Sequence, residues 1–169
     1  IYPVLTPLII DPSHPFPFVP NKGHFLVLLL NKRNKSKKFF ATILIPQNIE
    51  RFINISNRVD VKKYLSVEHI ISNYVNYLFP GYHLNKYTSV RIIRDSDIEF
   101  EEEAEDLILY LEKALKKRRR GRIVKLEIRS NADPLLKKFV YKKLEVTEDE
   151  VYEMDSFVGV HQIDQVYNK

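Results

Sequence analysis

Six apolar residues in a row, Phe25-Leu26-Val27-Leu28-Leu29-Leu30, set the strongest constraint on what this chain folds into. The run is the longest apolar stretch in the chain and falls far short of the ~20 residues that span a bilayer. Side chains alternate between the two faces of a strand, so a strand built on this run is apolar on both. Such a strand belongs in the middle of a sheet that is covered on both sides. Residues 31–37 follow as a polar, basic turn, and residues 38–45 read as a second strand ended by Pro46. The pair predicts an early hairpin with a longer loop.

Upstream of the run the chain has a different character. Residues 1–22 hold six of the nine prolines. Proline fixes φ, removes a donor and pushes the preceding residue to extended conformations. The segment reads as an extended arm outside any strand ladder, with Phe16 and Phe18 alternating with prolines and pinning it to a surface. The expected organisation is therefore an arm over residues 1–22 and a domain over residues 23–169. The chain opens on Ile1, with no signal-peptide pattern behind it, and this leads to the expectation that it is a fragment of something longer.

Downstream, residues 51–55 and 62–65 are short strand candidates. Ser66 is a good N-cap, with Glu68 in the first turn, and Val67, Ile70, Ile71, Tyr74, Val75 and Leu78 form a helical stripe stopped by Pro80-Gly81. Residues 87–94 read as a strand with Val90 and Ile92 on one face and Arg91 on the other. Glu101-Glu102-Glu103 opens a second helix with Ala104, Leu107, Ile108, Leu111 and Leu115 buried, ending before Gly121. Residues 122–129 alternate, with Val124, Leu126 and Ile128 inward and Lys125, Glu127 and Arg129 solvated. Asp133-Pro134 caps a third helix running to about Leu144. Residues 151–154 read as a last strand and 158–167 as a terminal helix. Hairpin strands early and α–β alternation late predict a single α+β domain, a mixed sheet with three to four helices packed on it.

The 169 residues carry 27 basic and 22 acidic side chains, net +5, a modest preference for acidic partners. There is no Cys, hence no disulfide, thiolate ligand or cysteine nucleophile. The four glycines are too scattered for a phosphate loop or a dinucleotide fingerprint. Lys116 to Arg122 suggests a polyanion contact, but acid at the start and base at the end of one helix is also what its dipole favours. No aromatic interrupts the run, which argues against a single-stranded nucleic-acid platform. Asp95, Asp97, Glu99 and Glu101 stand two apart and suit a solvated strand edge better than a calcium loop. The five histidines have no ligand spacing and no triad around them. His14, between Ser13 and Pro15, reads as a turn histidine. The residues by themselves show no active site.

Four segments together resemble bacterial polyphosphate kinase. Tyr2-Pro3-Val4-Leu5-Thr6-Pro7-Leu8 with Asp11-Pro12-Ser13-His14-Pro15-Phe16-Pro17-Phe18 is similar to that family's proline-rich motif, with Val19-Pro20-Asn21 where the family has Ile-Ser-Asn. Val90-Arg91-Ile92-Ile93-Arg94-Asp95-Ser96-Asp97-Ile98-Glu99 is similar to a second motif. Leu78-Phe79-Pro80-Gly81 and the acidic-to-basic helix ending in Arg118-Arg119-Arg120-Gly121, with the strand after it, fit in register.

The resemblance is to the middle, or head, domain. It implies an α+β fold and a structural and interaction role, with dimer contacts and a place beside the catalytic tunnel. The parent enzyme would make polyphosphate from ATP through a phosphorylated histidine, with ATP and Mg²⁺ bound in other domains. No catalytic, cofactor or metal residue is therefore assigned in this chain, and His14 is not taken as the phosphohistidine. Candidate polyanion or interdomain contacts are Arg91, Arg94, Arg118, Arg119 and Arg120. Phe16 and Phe18 are the candidates for interdomain docking. Arg91 or Arg94 is expected to pair with a carboxylate of the acidic run. Expected partners are the parent's other domains, a homo-oligomer and polyphosphate, in the cytoplasm, with no membrane span and with membrane association open for the parent. The rival readings are a stand-alone nucleic-acid-binding module and a small phosphatase using His14.

Overall fold

The structure, a computed structural model, describes residues 4–32, 37–56, 60–95 and 121–167. The apolar run lies in strand β2 (His24–Lys32), whose first seven residues are all buried. β2 pairs antiparallel with β3 (Lys38–Ile45) on one side and with β6 (Tyr82–Arg94) on the other, the central position its sequence demands. The sheet has six strands in the order β1-β3-β2-β6-β7-β8, with β1 at Thr6–Ile10, β7 at Ile123–Arg129 and β8 at Val151–Met154. Every pairing is antiparallel except β7 with β8, so the sheet is mixed. A separate hairpin joins β4 (Phe52–Asn54) and β5 (Tyr64–Ser66).

The alternation of β2 divides the core in two. Phe25, Val27 and Leu29 face a cluster with Val90, Ile92, Leu126 and Ile128, covered by Leu136 and Val140 of α3 (Pro134–Leu144). Leu26, Leu28 and Leu30 face Ala41, Ile43 and Ile45 of β3, covered by α1 (Val67–Asn73) and α2 (Val75–Leu78).

The helix boundaries follow from capping chemistry. Asp133 accepts from the Leu135 N–H at 2.9 Å, Pro134 occupies the first turn, and α3 ends at Glu145 in the left-handed region. The Ser66 hydroxyl accepts from the His69 N–H at 3.3 Å to start α1. The stripe over residues 67–78 predicts one helix, but the structure has two, broken at Tyr74 (φ −108°, ψ 17°). Ser72 Oγ and Asn73 Nδ2 both donate to the His69 carbonyl, at 2.9 and 3.0 Å, and so compete with the backbone ladder there. The C-terminal segment forms a 3₁₀ turn, Val160–Ile163, running into α4 (Asp164–Tyr167) rather than one helix. The expected helix opening at Glu101 lies outside the described residues.

Further expectations need correction. Residues 6–10 do enter the ladder, as edge strand β1 paired with β3, because only one side of an edge strand must supply donors, and Pro7 is tolerated there. Where β7 pairs with Ile93 and Arg94 of β6 the register shifts and Val124 is the extra residue, so Ile123 is buried and Val124 is 45% exposed. Leu126 and Ile128 face inward as read, but Glu127, expected to be solvated, is buried because Arg91, Lys125 and the Gly159 N–H surround its carboxylate.

Beyond β1 the chain turns through Asp11, whose carboxylate accepts from the Ser13 and His14 N–H groups at 2.8 Å and contacts the exposed His14 ring at 3.0 Å. His14 is a turn histidine. Phe16 then inserts against Phe25 and Phe139, with ring centroids 6.0 and 6.1 Å apart, and Val19 is fully buried. Phe18 stays on the surface, 52% exposed. Phe16→Ala should therefore lower the unfolding free energy by about 1.5–3 kcal/mol. Phe18→Ala, which loses mainly an exposed cation–π contact, should cost under about 1 kcal/mol. Urea unfolding of both variants checks the ranking, and equal losses would show that the arm is not seated through Phe16.

Candidate functional site

The face of the sheet that carries α1 and α2 is apolar over β1, β3, β2 and the start of β6, where Tyr82 and Leu84 join the cluster. Across the rest of β6 and over β7 and β8 the same face is polar. Cross-strand partners share a face, so the register puts Tyr87, Ser89 and Arg91 of β6 on the side of Leu28, Leu26 and His24. Glu127 lies opposite Arg91, and Tyr152 of β8 lies beside Glu127. The edge of this polar half is closed by the β4–β5 hairpin and by the strap that leads into α4.

Arg51, 2% exposed, lies at the junction. Its Nε donates to Glu68 Oε1 at 2.8 Å, and Nη2 makes a still shorter contact with the same oxygen. Nη1 reaches the Val158 carbonyl at 2.6 Å, the Gly159 carbonyl at 3.2 Å and Gln162 Oε1 at 3.0 Å. The guanidinium lies over the rings of Phe52 and Phe157, themselves edge to face. Glu68, read from sequence as a helix-dipole residue, is a buried counter-ion.

A second buried carboxylate ties down the same strap. Glu127 Oε2 accepts the Gly159 N–H at 2.7 Å, while Oε1 lies 3.0 Å from Lys125 Nζ and 3.5 Å from Arg91 Nη1. Burial pushes the Glu127 carboxyl up, but the Lys125 bond, the Gly159 N–H and the Lys125 and Arg91 charges outweigh it and hold the group below its ordinary value. Gly159 is required: φ is +63°, and a Cβ would stand 2.9 Å from Arg91 Cδ.

His24 Nε2 lies 2.6 Å from Ser89 Oγ and 3.5 Å from Glu68 Oε1. Burial first, then the Arg51 and Arg91 charges, push its pKa down to about 3, so the ring is neutral. His161 is lowered too, first by burial. A cleft of about 500 Å³ opens over this half of the face, lined by Arg51, Tyr64, His69, Tyr87, Arg129 and Asn131 among others.

The arginines singled out in the sequence have other occupations. Arg91 is buried and pairs with Glu127 across the ladder. Arg94 donates to the Val19 and Gly121 carbonyls at 2.9 and 2.8 Å and lies over the Phe18 ring at 4.9 Å, which clamps the arm to the end of β6. The partners found among the described residues are backbone carbonyls for Arg94 and a cross-strand carboxylate for Arg91, while the pairing expected with the acidic run falls largely on residues outside those described. Phe16 is turned into its own domain. Arg118, Arg119, Arg120, Asp97, Glu99 and Glu101 lie outside the described residues. Among the described residues no three His, Cys, Asp or Glu side chains gather as metal ligands. Sequence reasoning missed Arg51, His24 and Glu127. The one local signal was polar residues bordering or alternating with fully apolar strand positions.

The sequence matches the family described as "Polyphosphate kinase middle domain" over residues 1–166. The chain belongs to that family. It is similar to polyphosphate kinases of Erythrobacter litoralis (37% identity over 95% of this chain and 22% of the relative) and Mycolicibacterium gilvum (33%, 99% and 24%). A polyphosphate kinase of Aphanizomenon baltica is 36% identical over 96% of this chain and 45% of the relative. The chain thus spans between about a fifth and a half of the length of these relatives. The crystal structure of polyphosphate kinase from Porphyromonas gingivalis has the same fold over 97% of this chain and 23% of that one, with TM-score 0.72 and 15% identity. The α+β architecture of this middle domain is therefore shared with a solved structure.

The buried histidine gives the domain a pH dependence of known sign. A histidine held neutral in the folded state takes its proton only when the chain unfolds, so stability falls as pH drops from about 6.5 toward about 3. The slope is at most about 1.4 kcal/mol per pH unit for each such group. Urea unfolding at about pH 7.5 and about pH 5 should show this loss, reduced in His24→Gln, with His161 supplying part of the remainder. An undiminished slope in His24→Gln would place the cause elsewhere.

Proposed function

We propose that this chain is the structural and interaction domain of a larger polyphosphate kinase, an enzyme that transfers the ATP γ-phosphate to a growing polyphosphate chain through a histidine phosphoramidate. The observation that supports this is the match to the middle-domain family over residues 1–166 by a chain that spans only 22–45% of its named relatives. ATP and Mg²⁺ then bind other domains of the parent, which also supply the phosphorylated histidine. The partners of this chain are those domains and a second copy of the parent, and the location is cytoplasmic. Among the described residues no helix is long and apolar enough to cross a membrane.

The geometry fits a scaffold. The charged groups at the centre are spent on one another and on backbone, which fixes the relation of hairpin, α1 and strap. A rigid wall is what a neighbouring catalytic domain needs. Phe18 and the exposed Tyr74–Tyr77 pair, with ring centroids 5.9 Å apart, offer aromatic area for interdomain contact.

The test is direct. The purified 169-residue chain with ATP and Mg²⁺ should make no polyphosphate above a heat-treated control. Chain synthesis that survives purification to homogeneity would overturn the division of labour proposed here.

A further inference from the structure

The C-terminal strap and α4, residues 155–167, border the polar half-face without joining the core. Val158 is the one apolar side chain among them that is buried, and Ile163 and Val166 are half-buried. None of their apolar side chains belongs to either core cluster. The attachment runs through polar groups instead, and several of these meet one residue. Arg51 Nη1 donates to the Val158 and Gly159 carbonyls and to Gln162 Oε1, and the Arg51 backbone N–H donates to Gln165 Oε1 at 3.0 Å. Glu127 takes the Gly159 N–H. Phe157 adds an edge-to-face contact with Phe52 at 5.4 Å.

Lifting this segment strands no charge. A polar group that loses its partner is costly only if it stays dry. The Val158 and Gly159 carbonyls, the Gly159 N–H and both glutamine amides would pass into water together. Arg51 would keep Glu68 through Nε and Nη2, and Glu127 would keep Lys125 and Arg91. The sheet loses no pairing either. The Met154 carbonyl, at the end of β8, accepts the Ser130 N–H at 3.0 Å, so the ladder is complete before the strap begins. Asp155 and Ser156, both exposed, form a bend at that point. Phe157 and Val158 line the cleft, so moving them removes part of its wall.

We propose that residues 155–167 are a latched lid on the cleft, which swings about Asp155 and Ser156 as one unit while the six-stranded sheet stays folded, with Arg51 and Glu127 as the latch. Segments held by few buried apolar contacts open at a lower cost than global unfolding. The closed position depends on Gly159, whose left-handed backbone brings its carbonyl to Arg51 and its N–H to Glu127. The open lid widens the cleft and bares Arg51 and Glu127 to solvent. The inference rests on this geometry and is independent of the function proposed above.

The chain has no Cys, so a single introduced thiol can report each unit. Val158→Cys reports the lid and Val27→Cys the sheet, since both valines are fully buried. Each is labelled with a chromogenic thiol reagent under native conditions, and the rate is divided by that of the same variant unfolded in urea. Val158→Cys should react about a hundredfold faster than Val27→Cys or more. Urea at about 1 M should speed Val27→Cys steeply and Val158→Cys little, because opening the lid exposes far less surface than unfolding. Gly159→Ala should speed Val158→Cys by about tenfold or more, because its Cβ meets Arg91 only when the lid is closed. Val140→Ala, on the other face of the sheet, should speed Val27→Cys by about tenfold and leave Val158→Cys within about twofold, because it weakens closed and open forms alike. Equal rates for the two thiols would overturn the lid. So would a shared response to urea or to Val140→Ala, or no response to Gly159→Ala. If Val158→Cys itself fails to fold, hydrogen exchange of the Gly159 N–H in the unaltered chain gives the same reading. Exchange that is independent of urea supports the lid, and exchange as slow as that of the Val27 N–H overturns it.

Discussion

The burial of Arg51 against Glu68 is the interaction on which the arrangement of the domain depends. The sheet itself is secured by apolar area on both sides of β2. The hairpin, α1 and the C-terminal strap meet at this side chain, which lies against Phe52 of the hairpin, Glu68 of α1 and the Val158 carbonyl of the strap. A buried ion pair adds little net stability, because desolvation offsets much of its attraction. Removing one partner is different: it strands a buried charge, at about 3–5 kcal/mol. The pair therefore acts chiefly on specificity. Only a packing that presents Glu68, the Val158 and Gly159 carbonyls and Gln162 together satisfies this arginine, and alternatives leave a guanidinium dry and unpaired.

That requirement explains why the second carboxylate stands where it does. Glu127 holds the Gly159 N–H while Arg51 holds the Gly159 carbonyl, so one residue of the strap is gripped from both sides of its peptide units. The grip needs a left-handed backbone and an absent Cβ, and glycine supplies both. The strap then borders one side of the polar half-face, where Arg91 and Lys125 neutralise Glu127. A sheet face that is apolar at one end and ionic at the other thus gives a core and a polar cleft in one domain.

What the sequence disclosed was whatever depends on near neighbours. The β2 run implied its own central place. Asp133-Pro134 marked the start of α3, and Ser66 marked the start of α1, because caps are contacts between residues two or three apart. Where two local rules competed the pattern misled. The stripe over residues 67–78 outvoted the side chains of Ser72 and Asn73 in the reading, but in the structure those side chains take the His69 carbonyl and end α1. The bulge at Val124 was invisible because it belongs to the pairing of two strands that are distant in the chain. The polar network was the least legible. Arg51, Glu68 and Val158 are joined by pairings across 17 and 107 positions, and no periodicity encodes such a contact.

The arginines show the same limit from the side of function. A run of cations or a motif arginine draws attention by composition, yet the capacity of an arginine to hold a ligand depends on how many of its donors the fold has left unspent. Arg94 has given its donors to the Val19 and Gly121 carbonyls and its face to Phe18; Arg91 is buried against Glu127; Arg51 is surrounded on every side. Each of these would have to break a native contact to bind an anion, and the anion would have to make good that loss as well as its own desolvation. Arg129 sat in the sequence as one more outward residue of an alternating strand. Of the four it is the one whose side chain the fold leaves part-exposed at a cleft and unpaired among the described residues.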